Sequence, residues 1–224
     1  MTSRLLAEDV VDVRLLDAMD AGGCVLCVVR KRAERGMLET IISERVLDIG
    51  FREGLERDHA FCRRHVPGLL EADRRSSGIL GASILYGAIV ARRLAALREA
   101  VAVRGRRRRA RLDAARARPP CLACEQGALA AETAADRLAQ RCADPGWAAA
   151  IGAIPLCLDD LGAFMAATGD AASGAQVVAR QLDRVGALRD RLEGFAHHSA
   201  ADRRHLLTAE ERAAADEAAR LLGG

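Results

Sequence analysis

The chain has 224 residues, of which 50% are hydrophobic and 29% charged, so it can bury a substantial core and is not an intrinsically disordered protein. Its formal net charge is only +3, and the 34 basic residues include a single lysine, Lys31, so the arginine excess indicates a GC-rich genome rather than a nucleic-acid-binding composition. Aromatic residues make up 3% of the chain, and this balance favours helices over sheets. We therefore expect an all-α fold.

The first part of the chain predicts two amphipathic helices and a third helix that opens at the C-x-x-H turn of residues 62–65. Apolar residues recur at helical spacing over residues 5–19, and Gly22 and Gly23 end that run. Residues 28–46 form a second amphipathic pattern, and a shorter segment, 47–57, leads to Phe61. Each of the two C-x-x-C or C-x-x-H motifs in this region stands at the beginning of a predicted helix.

The middle of the chain predicts one long helix. After a break at residues 76–78, the pattern over residues 79–116 is helical, apolar at first and then dense in arginine. Pro119 and Pro120 end it. Residues 78–91 are too few to span a bilayer, which needs about twenty, so we expect a buried helix and no membrane contact.

The second half predicts a helix over residues 124–141, a turn at 144–146 and a loop at 169–174. Two helices, 175–195 and 208–222, close the chain, with Thr208 and Glu211 forming a capping box. We therefore predict a helical bundle of two metal-binding modules, 1–75 and 119–170, joined by a connecting helix, 76–118, and covered by a C-terminal helical pair, 171–224.

The first twenty residues contain no uniform apolar segment, because charged residues such as Glu8 and Asp12 interrupt it. A signal peptide is therefore not predicted, and we expect the protein in the cytoplasm. In that reducing compartment, seven cysteines are expected to be metal ligands or reactive thiols rather than disulfides.

The strongest feature is an internal repeat. In the first half, C-x-x-C at residues 24–27 is separated by 34 residues from C-x-x-H at 62–65; in the second, C-x-x-C at 121–124 is separated by 32 residues from C-x-x-D at 157–160. Between the motifs, Asp48 followed by Phe51 corresponds to Asp144 followed by Trp147. The repeat is therefore predicted to be a structural unit.

The spacing predicts zinc. A C-x-x-C turn at a helix start directs two sulfur atoms to one point, and a second turn completes a tetrahedral set of donors. The helix dipole and free backbone N–H groups also favour thiolates there. We predict a first zinc site within the first half of the chain, formed by Cys24, Cys27, Cys62 and His65.

A second site is predicted from Cys121, Cys124, Cys157 and Asp160. Aspartate is a harder donor than the histidine of the first site. The second site is either closed by Asp160, open to water or another ligand, or degenerate and without metal, and the sequence leaves these alternatives open. Cys142 is either a substitute ligand or a core residue, and we favour the core.

These motifs resemble an uncharacterised bacterial family whose members carry twin C-x-x-C modules, each followed by a G-F-C-x-x-H turn. The corresponding turns here are AFCRRH at residues 60–65 and PLCLDD at 155–160, and the resemblance spans about residues 20–165 with a weaker likeness at 195–203. The glycine is replaced by Ala60 and Pro155, and the second histidine by Asp160. The resemblance implies metal binding and no particular activity.

Three functions are compatible with the sequence. The first is a non-enzymatic zinc protein with two structural sites and a protein partner. The second is an enzyme or redox protein in which Cys121, Cys124 and Cys157 hold an iron–sulfur cluster or an open zinc ion. The third is a nucleic-acid-associated regulator using residues 104–118, which is less favoured because no aromatic residue among those arginines can stack on bases.

Three histidines near the C-terminus, His197, His198 and His205, have Asp202 as a candidate carboxylate partner. We interpret them as a surface turn rather than an acid–base site, because no nucleophile motif accompanies them. Phosphate-binding, dinucleotide-binding and hydrolase motifs are absent from the sequence, so it favours no particular enzyme class.

Overall fold

The computed structural model describes residues 5–57, 61–76, 78–116, 120–200 and 202–223, with the side chains of 56, 57 and 114–116 left out. Across these residues the regular structure is helical and contains no strand, which confirms the all-α prediction. The α-helices are α1 Val10–Asp20, α2 Val25–Thr40, α3 Ile49–Arg57, α4 His65–Ser76, α5 Leu80–Val101, α6 Gly105–Arg116, α7 Leu122–Arg141, α8 Pro145–Ala153, α9 Leu158–Thr168, α10 Ala172–His198 and α11 Ala209–Gly223. A π-helical turn, Ile41–Arg45, follows α2, and a 3-10 turn, Arg204–Leu206, precedes α11.

The chain forms two compact units. The first contains Met1–Arg30 and Leu129–Gly224, and the second contains Lys31–Ala128. These units do not follow the boundaries of the four predicted segments, because the chain leaves the first unit within α2 and returns to it within α7.

The core of the first unit is built around one tryptophan. Trp147 of α8 and Phe164 of α9 are buried with Leu15, Leu26 and Leu138 from three other helices. Helix α10 packs on α8, α9 and α11. Burial of these large side chains supplies the hydrophobic stabilisation of a chain that has few aromatic residues.

The core of the second unit is mainly aliphatic and includes one buried aromatic residue, Phe61. Leu38 and Ile41 pack with Leu55, Leu69 and Leu85. Helix α5 packs against α3, α4 and α6 in this unit. The residues Cys121 and Ala123 at the start of α7 belong to the same core, which places a C-x-x-C turn against it.

The internal repeat has a structural basis in two helix caps. The Asp48 carboxylate accepts a hydrogen bond from the Phe51 backbone N–H at 3.0 Å, and that of Asp144 accepts one from the Trp147 N–H at 3.1 Å. In each half, a capped short helix, α3 or α8, therefore leads into the turn that carries the third cysteine. Asp48 and Phe51, which the repeat pairs with Asp144 and Trp147, are thus equivalent helix-starting residues.

The predicted long helix over residues 79–116 is two helices. The chain bends between α5 and α6, where Gly105 has φ +61°, a conformation that favours glycine. The Arg111 Nη1 atom lies 3.1 Å from Glu99 Oε2, although the two residues are twelve positions apart, so α6 turns back along α5. A continuous helix would separate them by about 18 Å.

Helix α5 is not the buried helix that the sequence predicted. Within residues 80–91, Ala82 and Leu85 are buried. In the most apolar stretch of 18 residues in α5, only 11% of the residues are buried. Side chains such as Val90 and Leu97 are exposed. By length and hydropathy, α5 is the one helix among the described residues that could cross a membrane.

The predicted capping box of the last helix is confirmed. The Glu211 backbone N–H donates to Thr208 Oγ1 at 3.1 Å, and the Thr208 N–H donates to Glu211 Oε2 at 2.9 Å. These reciprocal bonds satisfy two backbone donors at the start of α11, where no intrahelical acceptor is available.

Candidate metal sites

The eight predicted donor residues form two groups of four, but the groups differ from those predicted. Cys62, His65, Cys121 and Cys124 form one group, named the His65 site. Cys24, Cys27, Cys157 and Asp160 form the other, named the Asp160 site. In each group the ligand atoms all lie within 4.8 Å of one another. The predicted closure of a site within each half of the chain is therefore wrong: each C-x-x-C turn meets the last two donors of the other half.

Helix lengths explain this exchange. After Cys24 the chain passes through α2 and the π-helical turn, about 31 Å at 1.5 Å per residue, whereas α3 is only about 14 Å long. The second half repeats the mismatch, with about 30 Å in α7 and about 14 Å in α8. In each half, the helix before the third cysteine is thus less than half as long as the helical stretch after the C-x-x-C turn, so it cannot retrace the whole of that length.

The four sulfur-bearing turns begin helices. Cys24, Cys121 and Cys157 directly precede α2, α7 and α9, and Cys62 lies three residues before α4 begins. The Cys62 carbonyl accepts the His65 and Val66 N–H groups at 3.0 Å, which closes the turn that presents both donors. Helix N-termini favour negative sulfur, so the local fold assists ligation.

The His65 site is centred on a ring nitrogen. His65 Nδ1 lies 3.2 Å from Cys62 Sγ, 3.3 Å from Cys121 Sγ and 3.3 Å from Cys124 Sγ. The Sγ atoms of Cys62 and Cys124 are 3.6 Å apart. His65 and Cys121 are buried and the other two cysteines half-buried, so three sulfurs and one nitrogen converge with little solvent around them.

A buried carboxylate supports the imidazole of this site. Glu34 Oε2 lies 3.2 Å from His65 Nε2, the ring nitrogen that faces away from the sulfurs. Glu34 is only 6% exposed, and its other oxygen pairs with Arg64. A carboxylate on the second nitrogen fixes the ring and its tautomer, as in many zinc-binding histidines.

The Asp160 site is centred on one carboxylate oxygen. Asp160 Oδ2 accepts hydrogen bonds from the thiols of Cys24 at 3.0 Å, Cys27 at 2.9 Å and Cys157 at 3.2 Å. The Sγ atoms of Cys27 and Cys157 are 3.6 Å apart. Asp160 is 1% exposed, so this carboxylate lies at the fourth corner of a buried set of donors.

Arg30 holds the other oxygen of that carboxylate. Its Nη2 atom lies 2.6 Å from Asp160 Oδ1. Burial raises the pKa of Asp160, but hydrogen bonds from Cys27, Cys24 and Arg30 outweigh it and keep the pKa below its ordinary value. Asp160 is therefore an anionic oxygen donor at neutral pH, and the arginine offsets the negative charge of this carboxylate.

The cysteine thiols differ in acidity. Burial raises the pKa of Cys24 and that of Cys124 to about 12 each, with further effects from Asp160 on Cys24 and from Cys62 on Cys124. Burial also raises the pKa of Cys62, but the backbone N–H groups of His65 and Arg64 lower it below its ordinary value. A cation that binds as a thiolate complex must therefore displace protons, and proton release should accompany binding.

Arg30 and Glu34 are the parts of these sites that sequence reasoning missed. Both lie on α2, one and two turns after Cys27. Their spacing from Cys27 fits the same helix face, but an arginine and a glutamate on an arginine-rich amphipathic helix carry no signal that separates them from surface residues.

The remaining candidates lie outside the two groups. Cys142 is buried in the core of the first unit, as favoured from the sequence, and burial raises its pKa. His198 Nδ1 contacts Glu211 Oε1 at 3.0 Å, so its carboxylate partner is Glu211 rather than Asp202. The arginine side chains from 104 to 111 are exposed, while those of 116 and 118 lie outside the described side chains, and nucleic-acid binding stays a prediction.

Comparison with protein-family models gives a match over part of the chain. Residues 6–108 match the model of a family of unknown function (DUF6062). No curated protein and no solved structure matches this chain. The matched residues contain the first C-x-x-C turn and the C-x-x-H turn of the repeat, and the match confirms the resemblance to an uncharacterised family inferred from those motifs.

Proposed function

We propose that this protein binds two zinc ions, one in the His65 site and one in the Asp160 site, and that both ions are structural. The observation that carries the proposal is the convergence of eight donors into two groups, each within 4.8 Å, from motifs that are far apart in the sequence. Chance rarely gathers three cysteines and a fourth donor around one point, and it would have to do so twice here.

The size of each group supports a single ion. A zinc ion with bonds of about 2.3 Å to sulfur has sulfur–sulfur edges of about 3.8 Å in a tetrahedron. The Sγ pairs Cys27–Cys157 and Cys62–Cys124 are both 3.6 Å apart. Little movement would therefore be needed to receive the ion.

The same distances count against an iron–sulfur cluster. A cluster places several iron and sulfide atoms between the cysteines, so their sulfurs must stand farther apart than the ligands of one ion. The predicted triad of Cys121, Cys124 and Cys157 is also separated: Cys157 belongs to the Asp160 site, and the other two belong to the His65 site. The grouping therefore gives no support to a cluster held by that triad.

Closure supports a structural role. Structural zinc sites have four protein ligands, whereas catalytic sites keep a position for water or substrate. In the Asp160 site the fourth corner is taken by Asp160, which favours the closed alternative over the open and degenerate ones. Each ion would then tie the starts of two helices, α2 with α9 and α7 with the turn before α4. A cytoplasmic location and a protein partner belong to this proposal as expectations.

Metal analysis of anaerobically purified protein, together with its visible absorption spectrum, tests the proposal. The wild-type chain should carry two zinc ions and no colour. Cys62→Ser should retain one ion, because it removes a ligand of the His65 site. Cys142→Ser is the matched control: it is also a buried cysteine, but it belongs to neither group, so both ions should remain.

Two results would contradict the proposal. The first is the finding of iron with acid-labile sulfide and a brown chromophore, which would indicate a redox centre in place of zinc. The second is a metal content in Cys62→Ser that equals that of Cys142→Ser, which would show that the His65 site does not hold a zinc ion. Substitution with cobalt gives a second measurement, because thiolate–cobalt absorption reports sulfur ligation directly.

A further inference from the structure

A cavity opens beside the Asp160 site within the first unit of the structure. It has a volume of about 490 Å³, and the backbone turn before α2, the segment before α9, and helices α10 and α11 line it. This volume is within the usual range of small-molecule pockets, about 300 to 1,000 Å³. Two residues of the Asp160 site, Cys24 and Cys157, form part of its wall.

The wall is mainly apolar. Leu156 and Leu188 are buried at 1% and 3% exposure, and Leu221 and Val185 line the same space. Side chains of this kind bind a hydrocarbon body by excluding water from it. They give no orientation to a ligand, so orientation must come from the polar groups of the wall.

The charged side chains of the wall are two arginines and one glutamate. The Arg184 Nη1 atom is buried and has no hydrogen-bond partner among the described residues, whereas its Nη2 atom donates to the Ala153 carbonyl at 2.8 Å. The bond to the Ala153 carbonyl holds the guanidinium in place at the cavity wall, and Arg184 forms no ion pair with a carboxylate among the residues that the structure describes.

The charge of this cavity is positive. Arg220 is exposed and lines the cavity together with Arg184. The one lining carboxylate, Glu217, is paired with Arg191 at 2.8 Å, so its negative charge is already balanced. Neither arginine has such a partner among the residues that the structure describes, so the pair favours an anion.

We propose that this cavity binds an amphiphilic organic anion, with its carboxylate or phosphate on Arg184 and Arg220 and its hydrocarbon part against Leu156, Leu188 and Leu221. This goes beyond the proposed function and does not depend on the identity of the metal. A carboxylate and a phosphate share the chemistry that the guanidinium groups recognise. The apolar wall distinguishes such a ligand from a free inorganic anion.

Calorimetric titration of the metal-loaded protein tests the proposal. The probes are octanoate, octyl phosphate, octan-1-ol and inorganic phosphate. Octanoate or octyl phosphate should bind, and the stronger of the two identifies the head group. Octan-1-ol and inorganic phosphate should bind at least about tenfold more weakly, because each lacks one of the two interactions.

Arg184→Gln should weaken binding of the stronger probe by about tenfold or more, because it removes the charged donor. Arg180→Gln is the matched control, since Arg180 lies on the same helix with an exposed side chain outside the cavity, and its affinity should stay within about twofold of wild type. Arg220→Gln, at an exposed position, gives the second variant if Arg184→Gln does not fold, and should also weaken binding.

Three results would overturn the proposal. These are no binding of either octyl anion to the wild-type chain, octan-1-ol binding as tightly as the anions, or equal affinities in Arg184→Gln and Arg180→Gln. Metal content measured on the same samples separates this failure from a failure of the zinc proposal, because the cavity can be empty of anions while both ions are bound.

Discussion

The Sγ atoms of Cys27 and Cys157 lie 3.6 Å apart, although the two residues are 130 positions apart in the chain. Cys27 belongs to the first half of the repeat and Cys157 to the second. The two halves therefore exchange ligands, and each site needs both halves of the chain. A polypeptide cut between the repeats would carry no complete set of four donors.

This exchange predicts the behaviour of double variants. Cys27→Ser with Cys157→Ser should lose one zinc ion, because both residues belong to the Asp160 site. Cys27→Ser with Cys62→Ser should lose both ions, since it damages both sites. Zinc per polypeptide, measured by mass spectrometry after gel filtration, gives the count.

Closure within each half of the chain would give the reverse result. Cys27→Ser with Cys62→Ser would then lose one zinc ion, and Cys27→Ser with Cys157→Ser would lose two. Circular dichroism on the same samples controls for global unfolding, because a chain that has lost all helical structure does not report on ligand grouping.

The sequence identified all eight converging donors but not their grouping, and the reason is chemical. Exchange of partners leaves the donor sets unchanged: one site has three cysteines and a histidine, and the other has three cysteines and an aspartate, whichever half closes them. Ligand chemistry therefore cannot distinguish the two groupings. Only the lengths of α2 and α7 against α3 and α8 do so, and their ends are hard to place from sequence.

Local signals predicted the fold well where side chains act on their own backbone. Thr208 with Glu211 and Asp144 with the N–H groups after it form the caps that their residue types indicate. The bend at Gly105 was missed because a single glycine inside an arginine-rich helical pattern is often tolerated. Burial of α5 was also mispredicted, since apolar composition does not say which faces a neighbouring helix covers.

Removal of the carboxylate behind His65 should weaken the His65 site. In Glu34→Gln the side chain keeps its size but loses the charge that holds His65 Nε2. The zinc dissociation constant of that site should rise by about tenfold to a hundredfold, measured by competition with a chromophoric chelator. Glu39→Gln, on the same helix with an exposed side chain, should leave it unchanged. Equal constants in the two variants would show that the charge of Glu34 does not contribute to zinc binding in this site.

Asp160 should behave as a ligand rather than as a neighbour of three thiols. Asp160→Ala should lower the zinc affinity of the Asp160 site by about tenfold or more and leave the His65 site intact, because it removes the fourth donor. Asp159→Ala is the control, since the adjacent carboxylate is exposed and lies outside the group. If Asp160→Ala binds zinc as tightly as Asp159→Ala, the fourth ligand is water or another residue and the site is open.

The last prediction concerns a buried ion pair in the first unit, formed by residues that belong to neither metal site. Asp12 is 0% exposed, accepts the Glu8 N–H at 2.9 Å and Arg141 Nε at 3.2 Å, and pairs with Arg141 Nη2. Burial raises the pKa of Asp12, but the hydrogen bonds from Arg141 and Glu8 hold it below its ordinary value. The folded chain therefore binds this proton less readily than the unfolded chain does.

It follows that Asp12 stabilises the fold at pH values above the ordinary carboxyl pKa, about 3.9, and that this stabilisation is lost as the pH falls through the lower pKa of the folded state. Urea unfolding at a series of pH values from about 6 down to about 2 measures it. Asp12→Asn should unfold about 3 kcal/mol more easily at neutral pH, since Arg141 loses a buried partner, and the difference should shrink in acid. Asp136→Asn, an exposed change on the same helix as Arg141, should follow the wild-type curve. A difference between Asp12→Asn and wild type that stays constant with pH would mean that the Asp12 charge contributes nothing to stability.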